Sequence, residues 1–150
     1  MAVARHGVLA TVHPNRGVDA VPVVFAVVPA LTSEGASAVS AAGTHGRSIV
    51  IPVDTVKPKR SSRLQRLVNI DEEARCVLLV DHYDEEWSKL WWVQVHAHAA
   101  RSEPTEGMIE QLAGRYPPYG QPGSVVGVIT LQPTNVSGWS ASGDESIPTM

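Results

Sequence analysis

Apolar and polar positions alternate most regularly between Leu90 and Ala100. There Trp91, Val93, Val95, Ala97 and Ala99 fall on one side and Trp92, Gln94, His96 and His98 on the other. That is the period of a half-buried strand. Gly7–His13 is short, β-branched and bounded by glycine and proline, and reads as a strand. Pro14-Asn15-Arg16-Gly17 is turn chemistry, and Val18 to Val28 follows as the second strand of a hairpin. Pro22 marks that strand as an edge or a bulge, since proline has no N–H for the ladder. Arg47–Val53, Arg75–Tyr83 and Ser124–Leu131 are further strands, with Val136–Ser140 as one more. Helical spacing occurs twice. Leu64, Leu67 and Val68 make one apolar stripe, with Arg63 and Arg66 on the other side and Ser61 and Ser62 as N-caps. Thr105–Tyr116 turns Met108, Ile109 and Leu112 inward and is stopped by Pro117 and Pro118. Pro29 to Gly46, made almost wholly of small residues, reads as a long hairpin loop. The expectation is one domain over residues 1–150, mainly β (α+β): an antiparallel barrel or sandwich with peripheral short helices.

Composition narrows the class. The chain has 150 residues, of which 43% are apolar and 18% charged, which is globular composition. Lys and Arg number 12 against 15 Asp and Glu, a net charge of −3, so nucleic acid is not expected as a partner. The single cysteine, Cys76, excludes a disulfide within the chain and a cysteine-built zinc site. No apolar run reaches the roughly 18–20 residues of a membrane span, and Met1–His6 has no signal-peptide core, so the expected location is the cytoplasm.

The strongest local signal for chemistry is basic. Lys57, Lys59, Arg60, Arg63 and Arg66 place five cations in ten residues, with Pro58 among them and no acid. They sit where a strand hands over to a helix, whose N-terminal N–H groups also favour an anion. That is the charge and geometry of a phosphate grip. The competing reading is a solvated helix face, or a counterion for Asp71-Glu72-Glu73. Three of four tryptophans, Trp87, Trp91 and Trp92, lie within six residues. Adjacent on a strand, Trp91 and Trp92 face opposite sides, so one can belong to the core while the other lines a pocket or an oligomer contact; the competing reading is that all three tryptophans are packing. His96 and His98 share a face but lack a third ligand, so no metal is expected. No nucleophile elbow, dinucleotide fingerprint or P-loop is present, and no side chain is assigned a catalytic role. A phosphate grip with aromatics and no catalytic side chains suits a protein whose chemistry belongs to a bound cofactor.

Four blocks then carry a resemblance: Val53-Asp-Thr-Val-Lys-Pro-Lys-Arg60, Arg63-Leu-Gln-Arg-Leu-Val-Asn-Ile70, Leu78-Leu-Val-Asp-His-Tyr-Asp84 and Trp87-Ser-Lys-Leu-Trp-Trp-Val93. With Leu9–Val12, Val21–Phe25 and Gly138–Ala141, they resemble the pyridoxamine 5'-phosphate oxidase-like, split β-barrel oxidoreductases of actinobacteria that use coenzyme F420. The resemblance implies a homodimer with cofactor sites at the subunit interface and hydride transfer through the deazaflavin. It implies that Lys57 and Lys59, with Pro58 between them, hold the cofactor phosphate, with Arg60 and Arg63 near it or near the acidic polyglutamate tail. Val23 and Val24 would lie against the ring, and Trp87, Trp91 or Trp92 would come from the facing subunit. FMN is the alternative cofactor, and sequestration of F420 or a flavin without turnover is the alternative function. Two departures stand out. Family members carry a helix before the first strand, where this chain has only Met1–His6, so the expectation is a truncated chain or a misassigned start site. The Pro29–Gly46 loop is longer than the family's tight turn, and is read as projecting into solvent.

Overall fold

The computed structural model describes residues 4–29, 46–56 and 64–143. The first hairpin forms as its turn residues dictate. Strand β1 (Gly7–His13) ends at a turn in which His13 Nδ1 accepts the backbone N–H groups of Asn15 and Arg16, at 3.1 and 3.2 Å. Gly17 takes φ 87°, which only glycine adopts freely. Strand β2 (Gly17–Val23) returns antiparallel to β1. Pro22 is tolerated because β2 is an edge strand, bonded to β1 alone.

The apolar run from Val18 to Val28 does not continue as one strand. Val24 and Phe25 leave the ladder, and β3 (Ala26–Pro29) starts a new pairing with β4 (Arg47–Asp54). Strands β5 (Arg75–His82), β6 (Trp91–Ser102) and β7 (Val125–Ser140) complete an antiparallel sheet of seven strands, ordered β2-β1-β5-β6-β7-β4-β3. Edge strands β2 and β3 are therefore joined by only two residues, which requires the sheet to curl. The inner face confirms the curl: Leu9, Val23, Ile49, Ile51, Leu78, Val95 and Ile129, from six strands, meet in one buried cluster with Phe25.

The final strand also differs from expectation. Ser124–Leu131 and Val136–Ser140 are parts of one strand, β7, which absorbs Pro133 through a bulge opposite His96 and Ala97. The alternation of β6 is as expected: Val93, Val95, Ala97 and Ala99 are buried, whereas Trp92, His96 and His98 are exposed.

Helix α2 (Glu106–Arg115) is capped by Thr105, whose side chain accepts from the Met108 N–H. Its Met108 and Leu112 pack with Ala26, Val28, Val50 and Val128 on the outer face of β3, β4 and β7. Helix α1 (Gln65–Glu72) differs more from the expected stripe. Its buried residues are Asn69 and Ile70, and its N-cap is Leu64; Ser61 and Ser62 lie outside the described residues. Asn69 is fully buried because its amide is fully used. It donates to Thr11 Oγ1 and Asp19 Oδ2, each at 3.0 Å, and accepts from Gln65 Nε2 at 3.0 Å. One side chain thereby ties α1 to the first hairpin.

Replacing Asn69 by leucine, close in volume, removes the amide donor from Thr11 and leaves Asp19 with Arg16 alone. The expected cost is about 1–3 kcal/mol, read as a lower midpoint in urea. A midpoint unchanged from the parent would mean the network contributes nothing net.

Candidate functional site

The outer face of the sheet is covered unevenly. α2 covers the β3–β4 side, but the face presented by β2, β1, β5, β6 and the second half of β7 has no helix over it among the described residues. The register aligns apolar positions across it. Pro22 faces Val8, Val8 faces Leu79, Leu79 faces Gln94, and one step along the strands Trp92 faces Trp139. Val18 is 64% exposed, Trp139 50%, and Val12, Leu79 and Trp92 between 36% and 38%. Single exposed apolar residues are ordinary, but a contiguous set across five strands is not. Asp81, Gln94 and Ser137 supply hydrogen-bonding groups beside the two indoles.

The tryptophans divide as adjacent strand residues must. Trp91 is half-buried, packs against the inner core and stacks on His82 with ring centroids 6.1 Å apart. Trp92 points outward, paired with Trp139. Trp87, in a short helical turn (Trp87–Lys89) of the β5–β6 loop, is 78% exposed, and Tyr83 in the same loop 80%. The sequence placed Trp139 in a strand, Val136–Ser140, but gave no sign of its partner, which only the register of β7 against β6 reveals.

Val23 is buried with its side chain in the inner core, and Val24 is half-buried against the α2 cluster. Both stand where the chain crosses between the sheet's edges. Lys57, Pro58, Lys59, Arg60 and Arg63 lie outside the described residues. Arg66 is not on a solvated face: it is half-buried, and its Nε is shielded from water with no hydrogen-bond acceptor. Burial lowers its pKa, opposed by the nearby Asp54 carboxylate. Asp54 is itself buried and accepts from the Tyr119 hydroxyl at 3.1 Å. Burial pushes the Tyr119 phenol up, so it remains a donor. Arg66 is thus turned inward, off the solvated side of the helix on which it was expected. Two of the three acids that competed for the basic segment are engaged elsewhere: Asp71 with Arg101 at 2.8 Å and Glu73 with Arg75 at 2.8 Å.

The ladder fixes how far apart the expected site residues stand. Asp54, at the end of β4 and three residues before Lys57, pairs with Val125 at the start of β7. Trp92 pairs with Trp139 near the end of β7. Fourteen residues of strand separate Val125 from Trp139, a contour of roughly 45 Å at about 3.3 Å per residue. Within one chain, the end of β4 and the indole pair stand at opposite ends of β7.

No group of three or more metal-binding side chains occurs among the described residues. Cys76 is buried, and desolvation pushes its thiol up to about 11, so it is not a nucleophile at neutral pH. No described helix is long and apolar enough to cross a membrane.

Neither a family model nor a curated relative matches this sequence. Solved structures do. A pyridoxamine 5'-phosphate oxidase from Listeria innocua, described as putative, matches with a TM-score of 0.55 at 15% identity, over 89% of this chain and 86% of that one. The split barrel is the fold of this chain. A FAD-binding protein from Mesorhizobium loti shares it at TM-score 0.53 and 13% identity, over 89% and 84% of the two chains. So does HutZ, a haem storage protein from Vibrio cholerae, at 0.55 and 13%, over 91% and 86%. The chain spans about half the length, 51%, of an Agrobacterium tumefaciens protein of unknown function that it matches at TM-score 0.60 and 16% identity over 91% of its own length. At these identities the likeness establishes the fold.

Carboxylates near the site set the acid limit. Glu73 is held at about 2, against an ordinary 4.5, first by the hydrogen bond from the Arg75 side chain and then by the Arg75 N–H. Asp19 is lowered chiefly by Asn69 and then by Arg16. A carboxylate depressed in the folded state stabilises above its unfolded pKa and loses that contribution as pH falls through its folded value. The melting temperature should therefore hold steady down to about pH 5 and fall between 4.5 and about 2. Glu73→Gln should flatten part of that decline, and an identical decline in the variant would remove Glu73 from the account.

Proposed function

We propose that this chain binds a flavin-type cofactor, coenzyme F420 before FMN, and acts as an oxidoreductase on a small molecule. The observation that carries this reading is the outward apolar face with Trp92 opposite Trp139, in a fold shared with oxidase-like and FAD-binding proteins. Two exposed indoles on a flat strand surface, edged by Asp81, Gln94 and Ser137, fit a planar ring that has an apolar face and a polar rim. Lys57 and Lys59, with Arg60 and Arg63, supply charge for a phosphate and an acidic tail. A bound deazaflavin supplies a two-electron hydride carrier. The chain's residues orient the ring, keep water from it and neutralise its phosphate.

A C2 homodimer belongs to the same proposal. A second copy is the occupant that fits the uncovered face, since a self-complementary apolar patch is what a two-fold contact requires. It also answers the separation along β7: the basic segment of one copy and the indoles of the other can border one site. The haem storage neighbour supports a second reading, in which the chain holds a tetrapyrrole or flavin without turning it over.

Titration of the purified protein with F420, FMN and haem side by side tests the cofactor. F420 should bind most tightly, with affinity falling as salt screens the cations; tighter FMN or haem binding overturns the choice. Anaerobic turnover with reduced F420 and candidate acceptors then separates enzyme from store. Lys57→Ala with Lys59→Ala should weaken binding by about 1.5–3 kcal/mol per charged hydrogen bond lost, with turnover at saturating cofactor nearly unchanged. Unchanged affinity would make the segment a solvated face.

Trp92→Glu places a charge on the outer face without touching the inner core. The variant should sediment as a monomer and lose cofactor affinity while keeping its far-UV circular dichroism. A dimer that persists would move the interface elsewhere.

A further inference from the structure

At the end of β7 opposite the indole pair, the barrel holds a concavity. A cavity of about 500 Å³ opens between α1 and the ends of β4, β6 and β7. That lies within the roughly 300–1,000 Å³ of small-molecule sites. Val53, Leu67, Val126, Gly127 and Val128 make its apolar wall, and Asp71, Arg101, Ser102 and Glu103 its polar rim. Ser102 pairs with Val128, ten residues along β6 from Trp92, which is roughly 33 Å of strand. The cavity and the outward indoles are separate places.

Two features point to a ligand. The first is Gly127, in the interior of β7. Glycine there weakens a strand and marks close approach by something else. The chain's own packing does not demand it: a Cβ would stand 3.8 Å from the Val53 Cβ and 3.9 Å from the Ser102 carbonyl oxygen, ordinary contact distances. The missing side chain leaves the floor of the cavity open. The second is the charge at the rim. Arg101 is satisfied by Asp71 at 2.8 Å, and the Ser102 and Thr130 hydroxyls lie 3.2 Å apart. Glu103 has no ion-pair partner among the described residues. Glu103 is thus the rim carboxylate left without an ion pair among the described residues.

We propose that this cavity binds a small organic ammonium compound, its apolar body on Gly127, Val53 and Leu67 and its cation beside Glu103. The proposal does not rest on the flavin reading, and either can fail alone. Dansylcadaverine, an apolar fluorophore with a primary ammonium, is a suitable probe, and dansylamide is its uncharged counterpart. With the full-length protein, dansylcadaverine fluorescence should rise saturably, with tighter binding than dansylamide. Glu103→Gln, at an exposed position, should cost dansylcadaverine about two- to five-fold in affinity, as an exposed ion pair does, and leave dansylamide unchanged. Gly127→Leu, which fills the floor, should weaken both probes by about ten-fold or more. Trp92→Ala should change neither. Absent binding, equal affinity for the two probes, or a Gly127→Leu protein that is folded and binds as the parent each overturns the proposal. Should Gly127→Leu fail to fold, Glu103→Gln decides alone, and its unchanged affinity for dansylcadaverine is the overturning result.

Discussion

Val24 and Phe25 are the constraint on which the rest depends. They join β2 to β3, the two outermost strands of the sheet. The three Cα steps from Val23 to Ala26 span at most about 11 Å. Six interstrand spacings of about 4.8 Å would put the edges of a flat sheet roughly 29 Å apart. Only a curled sheet reconciles the two lengths. The link is held accordingly: Phe25 is buried among the inner residues, the Arg115 guanidinium lies 5.1 Å from its ring, and the Tyr116 hydroxyl donates to its carbonyl at 3.3 Å. Arg115 and Tyr116 also bond the backbone carbonyls of Ala4 and Arg5, so the end of α2 pins both the crossover and the segment before β1.

Closure makes the faces of the sheet unequal. The inner face fills with branched and aromatic side chains from every strand except β3, to which the half-buried Val27 adds. The outer face cannot fill itself. α2 is long enough to cover β3, β4 and the start of β7, and the remaining strands keep their outward residues near water. Leu79, Trp92 and Trp139 on that face are therefore a consequence of having one covering helix for two outer surfaces. Their apolar character, where polar residues would dissolve better, gives the surface its functional interest.

How much of this was legible in the sequence depended on whether local pattern and burial agree. The faces of β6 were legible because one side is core and the other is not, although the strand runs Trp91–Ser102 rather than Leu90–Ala100. The β2–β3 break was illegible because Val23-Val24-Phe25-Ala26 is apolar throughout, and a crossover between edges leaves no polar or glycine mark. Pro133 misled in the other direction: it looks like a strand end, but a bulge lets the chain pass. α1 was misjudged because its most buried residue is an asparagine. The partners that make its burial tolerable, Thr11 and Asp19, are 58 and 50 residues away. Of the expected site, the outward role of one tryptophan was readable from adjacency alone. Its partner Trp139 required the register of β7.

The electrostatics follow from the same packing. Asp71 and Glu73 follow the basic segment closely and look like its counterions, yet the fold gives them to Arg101 and Arg75. Arg66, the last cation of the segment, is drawn inward toward Asp54, where desolvation lowers its pKa and the Asp54 carboxylate opposes the shift. This helix does not keep Arg66 in water. Its inner side is fixed by Asn69 and Ile70, the register of those two residues turns Arg66 toward the barrel, and the acids beyond them reach the strands instead. Among the described residues, the two acids that follow the segment at the end of this helix pair with strand arginines.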